Sequence, residues 1–141
     1  MIQVRPIEND TDLKTAFAIR QRVFVEEQAV DPEIEYDEYE KVSHHFLANV
    51  DGLPAGTARW RKTGNGIKME RFAVLQEFRG TGVGTALMLH LLRDIGAPEG
   101  RVIYLHAQNQ VIPFYEKHNF QVSGGEFEEA NILHHKMVYI P

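Results

Sequence analysis

The 141-residue chain carries 15 basic and 20 acidic residues, a formal net charge of −5, and no cysteine. That length holds one domain with one core, and the missing thiols exclude disulfides, thiolate metal sites and a cysteine nucleophile. Eight of the acids fall in residues 26–40 beside no basic residue, which leaves 15 basic against 12 acidic elsewhere and no basic patch for a nucleic acid. The start, Met1-Ile2-Gln3-Val4-Arg5-Pro6, lacks a basic region followed by a long apolar one, and no apolar run approaches membrane-spanning length. A cytosolic protein with no membrane partner is expected.

In chain order, Ile2 to Arg5 reads as a first strand, and Asp10-Thr11-Asp12 caps a helix whose apolar positions Leu13, Ala16, Phe17 and Val23 keep a helical spacing. Asp31-Pro32 interrupts it, and the acidic stretch beyond has no clear period and reads as a loop with at most a short helix. Three antiparallel strands come next, His44 to Val50, Ala55 to Lys62 and Ile67 to Val74, joined by Asp51-Gly52 and the hairpin signal Asn65-Gly66. A helix from Thr85 to Leu92, ended near Gly96-Ala97-Pro98, leads to a strand from Val102 to Ala107 and completes a βαβ unit. A short helix through Tyr115 precedes two final strands, Phe120 to Phe127 and Leu133 to Tyr139. The expected fold is a single α/β domain, residues 1–141, with a mixed, mostly antiparallel sheet flanked by about four helices.

Between Phe72-Ala73-Val74 and the helix lies Arg79-Gly80-Thr81-Gly82-Val83-Gly84. Glycines admit positive backbone dihedrals and close approach of a ligand, and successive N–H groups at a helix start favour an anion such as a pyrophosphate. A P-loop needs Lys and then Ser or Thr after its last glycine, whereas Thr85 and Ala86 follow Gly84. The dinucleotide fingerprint needs G-x-G-x-x-G on an early strand-helix unit, which this loop is not. A tight strand-to-helix turn with no ligand is the plain alternative.

A second segment, Pro113-Phe114-Tyr115-Glu116-Lys117-His118-Asn119-Phe120, comes after the strand Val102 to Ala107. Taken together, the two segments resemble the GNAT superfamily of acetyl-CoA-dependent N-acetyltransferases across the whole chain. Val23 to Gln28, Gly56 to Arg61, Glu70 to Val74, Ala107-Gln108 and the tail from Glu126 to Met137 are similar to its small bacterial YjcF/ElaA-like branch. Most members have Asn where Gln108 stands and Gly where Asn119 stands; Gln keeps the amide donor, and Asn is the next-best residue for a left-handed helix C-cap. The resemblance implies that the strands before and after the glycine loop splay apart and that acetyl-CoA enters the gap. It places Phe72, Ala73 and Val74 as main-chain partners of the pantetheine arm, and Arg79, Gly80, Thr81, Gly82, Val83, Gly84 and Thr85 at the pyrophosphate. Gln108 would meet the arm, and a bulge near Val74 would present the N–H that polarises the thioester carbonyl.

Transfer to an amine needs a neutral nucleophile, yet an amine of pKa near ~10.4 is only about one part in ~2,500 neutral at pH 7, a handicap of ~4.6 kcal/mol. A base or a desolvated site must supply part of that, and the departing thiolate needs a proton. Tyr115 matches the family position that points its hydroxyl at the cofactor sulfur as general acid; a core aromatic is the alternative. For the base, Glu70 lies four residues before Val74, so period-two alternation puts both side chains on one face, although a glutamate paired with Arg71 or Arg59 is an equal reading. Glu27, Gln28, His44 and His134 match polar positions of the branch and are candidates for acceptor binding. Arg79 can neutralise phosphate or pair with Glu77.

The acidic run, Glu26 to Glu40, is either a field that draws a cationic amine or a solvated loop. His44-His45 and His134-His135 are adjacent on strands, so each pair points to opposite faces, and no metal site is expected. The acceptor that the resemblance implies is a small-molecule or protein amine. A CoA-binding or sensing module without catalysis is the competing class, and a homodimer through the edge of the last strand stays open.

Overall fold

The computed structural model describes residues 1–141, apart from the side chain of Ile34. Eight strands form one sheet: β1 (Ile2–Pro6), β2 (His44–Val50), β3 (Leu53–Thr63), β4 (Gly66–Val74), β5 (Ile103–Gln108), β6 (Phe120–Val122), β7 (Phe127–Glu129) and β8 (Ile132–Tyr139). Their spatial order is β1-β2-β3-β4-β5-β8-β6, with β7 also paired to β8. Only β4 and β5 run parallel, as the crossover through α3 (Val83–Ile95) requires.

Asn9 caps α1 (Asp10–Arg20): its Oδ1 accepts from the Asp12 N–H at 2.8 Å, so the cap lies one residue before the predicted segment. The helix then widens into a π-helical stretch, Gln21–Glu27, which turns out through Ala29 at φ +57°. The acidic stretch contains one short helix, α2 (Pro32–Glu35). α4 (Ile112–Glu116) carries Tyr115, and Asn119 ends it at φ +69°, the left-handed geometry expected of it. The predicted strand from Phe120 to Phe127 is broken: β6 stops at Val122 and β7 starts at Phe127, with Gly124 between them at φ +91°. Both pieces pair with the outer edge of β8, which is thereby covered within the chain.

Two apolar clusters lie on the two faces of the sheet. One packs Val83, Leu87, Met88 and Leu91 of α3 against Phe46, Ala58, Trp60, Met69 and Leu105. The other packs Ile19 of α1 and Val23 against Leu47, Ala73 and Leu75. Gly56 lets α3 seat closely, since a Cβ there would lie 2.9 Å from Val83 Cγ1 and 3.0 Å from the Ala73 carbonyl. No helix among the described residues is long and apolar enough to cross a membrane.

β4 and β5 pair only at Ile67↔Ile103, Lys68↔Tyr104 and Met69↔Leu105, and beyond these they part. At the same level β4 bulges. Thr57 faces Ala73 but Arg59 faces Glu70, so Arg71 and Phe72 together oppose Ala58, with Arg71 at φ +58°. The extra residue inverts the facing of Phe72, Ala73 and Val74. Glu70 and Ala73 look toward α1, whereas Phe72 and Val74 pack on the α3 side. The expectation that Glu70 and Val74 share a face is therefore corrected, and the bulge expected near Val74 lies at Arg71–Phe72.

Candidate active site

The parting strands, the start of α3 and the π-helical stretch enclose a cleft of about 1160 Å³. Gly80, Gly82, Val83, Gly84 and Thr85 line one end. Gly82 is the N-cap of α3 at φ +95°, ψ +6°, and no side chain caps the helix, so its first N–H groups have no side-chain acceptor. This is the geometry that accepts an anion at a helix mouth. Thr81 does not line the cleft; its hydroxyl donates to the Phe78 carbonyl instead.

Phe72 and Val74 line the middle of the cleft, and beyond Met69 the edge of β4 turned toward β5 has no strand partner. Ala73 is buried against α1 and lies outside the lining, which leaves it only a main-chain role. The Val74 carbonyl already accepts from Arg79 Nε at 2.9 Å. Across the gap, Gln108 Nε2 donates to Gln28 Oε1 at 2.8 Å, so the π-helical stretch reaches over to β5. Tyr115 is packed edge-on against Phe72, Phe114 and Phe120 and lines the cleft. No described residue bonds its hydroxyl, and no fully buried polar side-chain atom lacks a partner, so the hydroxyl meets the cleft. Burial raises its pKa and keeps it protonated at neutral pH.

A family model described as an acetyltransferase (GNAT) domain matches residues 10–140. The chain belongs to the GNAT acetyltransferase family. It is 41% identical over 132 residues to the uncharacterized N-acetyltransferase YjcF of Bacillus subtilis (strain 168), covering 93% of this chain and 94% of YjcF. Among solved structures, ElaA of Escherichia coli superposes with a TM-score of 0.87 at 24% identity, over 99% of this chain and 100% of ElaA. An acyl-CoA N-acyltransferase from Pseudomonas aeruginosa superposes with a TM-score of 0.83 at 23% identity, over 99% of both chains. A GNAT acetyltransferase from Elizabethkingia anophelis with acetyl-CoA bound superposes with a TM-score of 0.70 at 14% identity, over 97% of this chain and 94% of that one. These likenesses establish the fold.

On the α1 side of this GNAT sheet the charges are paired, Glu70 with Arg59 among them. Glu70 Oε1 accepts from Arg61 Nε at 2.6 Å and from Arg59 Nη2 at 3.0 Å, and Lys68 Nζ lies 3.2 Å from Oε2. Burial pushes this carboxyl up, but the Arg61 hydrogen bond and the charges of Arg59 and Lys68 outweigh it and hold the pKa at about 2. Such a carboxylate is a poor proton acceptor at neutral pH, and of the two readings of Glu70 the arginine-paired one, with Arg59, describes its surroundings. Arg79 pairs with Glu27, Nη2 to Oε2 2.8 Å, and not with Glu77, which pairs with Arg22. Glu27 thus bridges to the glycine loop as Gln28 bridges to Gln108.

Three acids of the run, Glu35, Asp37 and Glu40, are neutralised from beneath. Arg20, 1% exposed, binds Glu35 and Glu40, and Arg59, 0% exposed, binds Asp37, Glu40 and Glu70. Arg71 donates to the Glu35 carbonyl and lies 3.2 Å from Asp37 Oδ2. Glu35, Asp37 and Glu40 are thus folded onto the sheet as the counter-charge of buried arginines, whereas Glu26, Glu27, Asp31, Glu33 and Glu38 are exposed, as a solvated face is.

His44 is a correction as well: it is exposed, stacks on Trp60 at 4.1 Å on the α3 side and does not line the cleft. His134 does line it, with Nδ1 2.7 Å from the Ile132 carbonyl. Sequence reasoning missed His106 and Glu129, which line the cleft with Nδ1 and Oε1 3.2 Å apart. Strand alternation from Ile103 would have set His106 opposite the core face, but Glu129 sits beyond the break at Gly124, where the sequence pattern runs on as one strand.

Proposed function

We propose that this GNAT protein, as one domain over residues 1–141, is an acetyl-CoA-dependent N-acetyltransferase that passes acetyl directly to a primary amine of a small molecule or protein. The observation that carries this reading is the wedge between β4 and β5, opening beyond Met69↔Leu105 beside an α3 mouth whose N–H groups have no side-chain cap. Acetyl-CoA supplies an activated acyl thioester when bound. Main-chain groups of Gly80, Gly82, Val83, Gly84 and Thr85 hold its diphosphate, and the free edge of β4 over residues 72–74 lies along its pantetheine arm, which the Gln108 amide meets from β5.

Main-chain N–H groups at the Arg71–Phe72 bulge polarise the acyl carbonyl, in the role expected near Val74. The Tyr115 hydroxyl donates to the departing sulfur. The amine enters from the α1 face, between the anchored acidic segment and the end of β7, where His134 and Gln28 line the cleft. Acetyl-CoA should raise the melting temperature where ATP and NAD do not, and thiol should be released when a primary amine is added. Stabilisation by ATP or NAD with none by CoA would instead mark a nucleotide-binding module.

A further inference from the structure

Resting on that reading, the identity of the base can be taken further. One residue past Met69↔Leu105 stand Glu70 on β4 and His106 on β5. Ile103, Leu105 and Ala107 belong to the α3-side core, so alternation turns His106 to the α1 face, from which the amine enters. Both side chains stand at the apex of the wedge, but Glu70 is saturated by Arg59, Arg61 and Lys68.

His106 is arranged differently. Its Nδ1 lies 3.2 Å from Glu129 Oε1, and an ionised carboxylate only accepts, so the neutral ring carries its proton on Nδ1 and keeps a lone pair on Nε2. No described residue bonds Nε2, and the side chain is 25% exposed in the wall of the cleft. Phe127 packs edge-on to the ring at 4.9 Å and Tyr104 lies at 5.9 Å, which fixes its plane. Glu129 is kept ionised chiefly by the His106 hydrogen bond and then, against burial, by the charge of Lys68. His134 is the weaker candidate: its Nε2 faces Glu129 Oε2 at 3.8 Å, and its side chain is 7% exposed and stacked on Phe127.

We propose that His106 is the general base, accepting the proton of the acceptor nitrogen on Nε2, with Glu129 as the positioning residue that fixes its tautomer. As the nitrogen–carbon bond forms and the carbon–sulfur bond breaks, the nitrogen proton passes to His106 and the sulfur takes one from Tyr115. The imidazolium then loses a proton to solvent and the tyrosinate regains one, so the balance closes on one amide and one thiol.

The test pairs kinetics with a measurement that needs no turnover. With spermidine, glucosamine, L-lysine and a lysine tetrapeptide amide as probes, His106→Gln should bind acetyl-CoA as wild type does and keep its KM while kcat falls by about 10²-fold or more. His106→Ala should regain rate on adding imidazole, which a structural loss would not permit. Long-range proton–nitrogen spectra of the ligand-free protein should place the ring proton on Nδ1, and Glu129→Gln should disperse that preference. An active wild type whose His106→Gln variant keeps its rate within about threefold, or a His106 ring protonated only on Nε2, overturns the assignment while the transferase reading stands. Since the tautomer is read without an acceptor, failure of the transferase reading, seen as no thiol release with any amine, is told apart from failure of this one.

Discussion

Nη2 of Arg59 lies 3.0 Å from Oε1 of Glu70, and the same fully buried guanidinium reaches Asp37 and Glu40. This contact ties the apex of the wedge to the acidic segment on the face from which the amine is proposed to enter. Glu70 thereby acts as the counter-ion of a buried arginine, and the acidic segment is held in place by charges that compete with any incoming cation.

Glu70→Gln should therefore behave as a stability variant. Breaking a buried pair from one side leaves charge uncompensated and costs about 3–5 kcal/mol, here on Arg59 with Arg61 and Lys68 beside it. Urea unfolding should show that loss, while kcat per folded molecule falls by less than about tenfold. A rate collapse at unchanged stability would return Glu70 to the role of base.

Stability should also fall in acid over a defined window. Glu70 and Glu40 each have a folded pKa of about 2 against an ordinary value of 4.5. A depressed carboxyl contributes stability that is present above its unfolded pKa and lost as pH falls through the folded one, here from about pH 5 to about pH 2. Each contributes on the order of 3 kcal/mol, and because they share Arg59 the two are not additive. Chemical denaturation at pH 7, 4 and 3 should show the decline, and Glu40→Gln should flatten it.

Gly56→Ala should loosen the seat of α3. Its Cβ would fall 2.9 Å from Cγ1 of Val83, in the first turn of the helix that faces the cleft, and 3.0 Å from a fixed backbone oxygen of Ala73 on β4. Overpacking of this kind costs about 1–3 kcal/mol, and calorimetry should show weaker acetyl-CoA binding alongside a lower melting temperature.

Tyr115→Phe removes a hydroxyl that has no protein partner, so folding and cofactor affinity should stay near wild type while kcat drops by about 10²-fold or more. Equal loss of affinity and rate would make Tyr115 a packing residue.

Most strand and helix positions are legible in the sequence because apolar periodicity and turn residues act locally. The glycine loop can be read as an anion site since its backbone needs, at Gly82 above all, restrict the residue type. Three features are not legible, each because a distant partner decides it. The exact place of the bulge, which the family resemblance implies only as near Val74, depends on the register of β4 against β3, and it sets Glu70 on the face opposite Val74. Glu35, Asp37 and Glu40 of the acidic run take their meaning from Arg20 and Arg59, whose burial no local pattern announces. Glu129 reaches His106 only because the chain breaks its strand at Gly124 and returns along β8.

The central claim is that the α3 mouth holds the diphosphate of acetyl-CoA, and titration calorimetry on wild type, Gly82→Asn and Gly82→Asp tests it most directly. Asn tolerates the left-handed backbone at this N-cap, φ +95°, and adds bulk without charge. Asp adds a carboxylate against the phosphates, so its affinity should fall below that of Asn by about tenfold or more, the effect of ~1.4 kcal/mol or more of repulsion. Equal affinity for Asn and Asp, or no acetyl-CoA binding by wild type at millimolar concentration, would contradict the account.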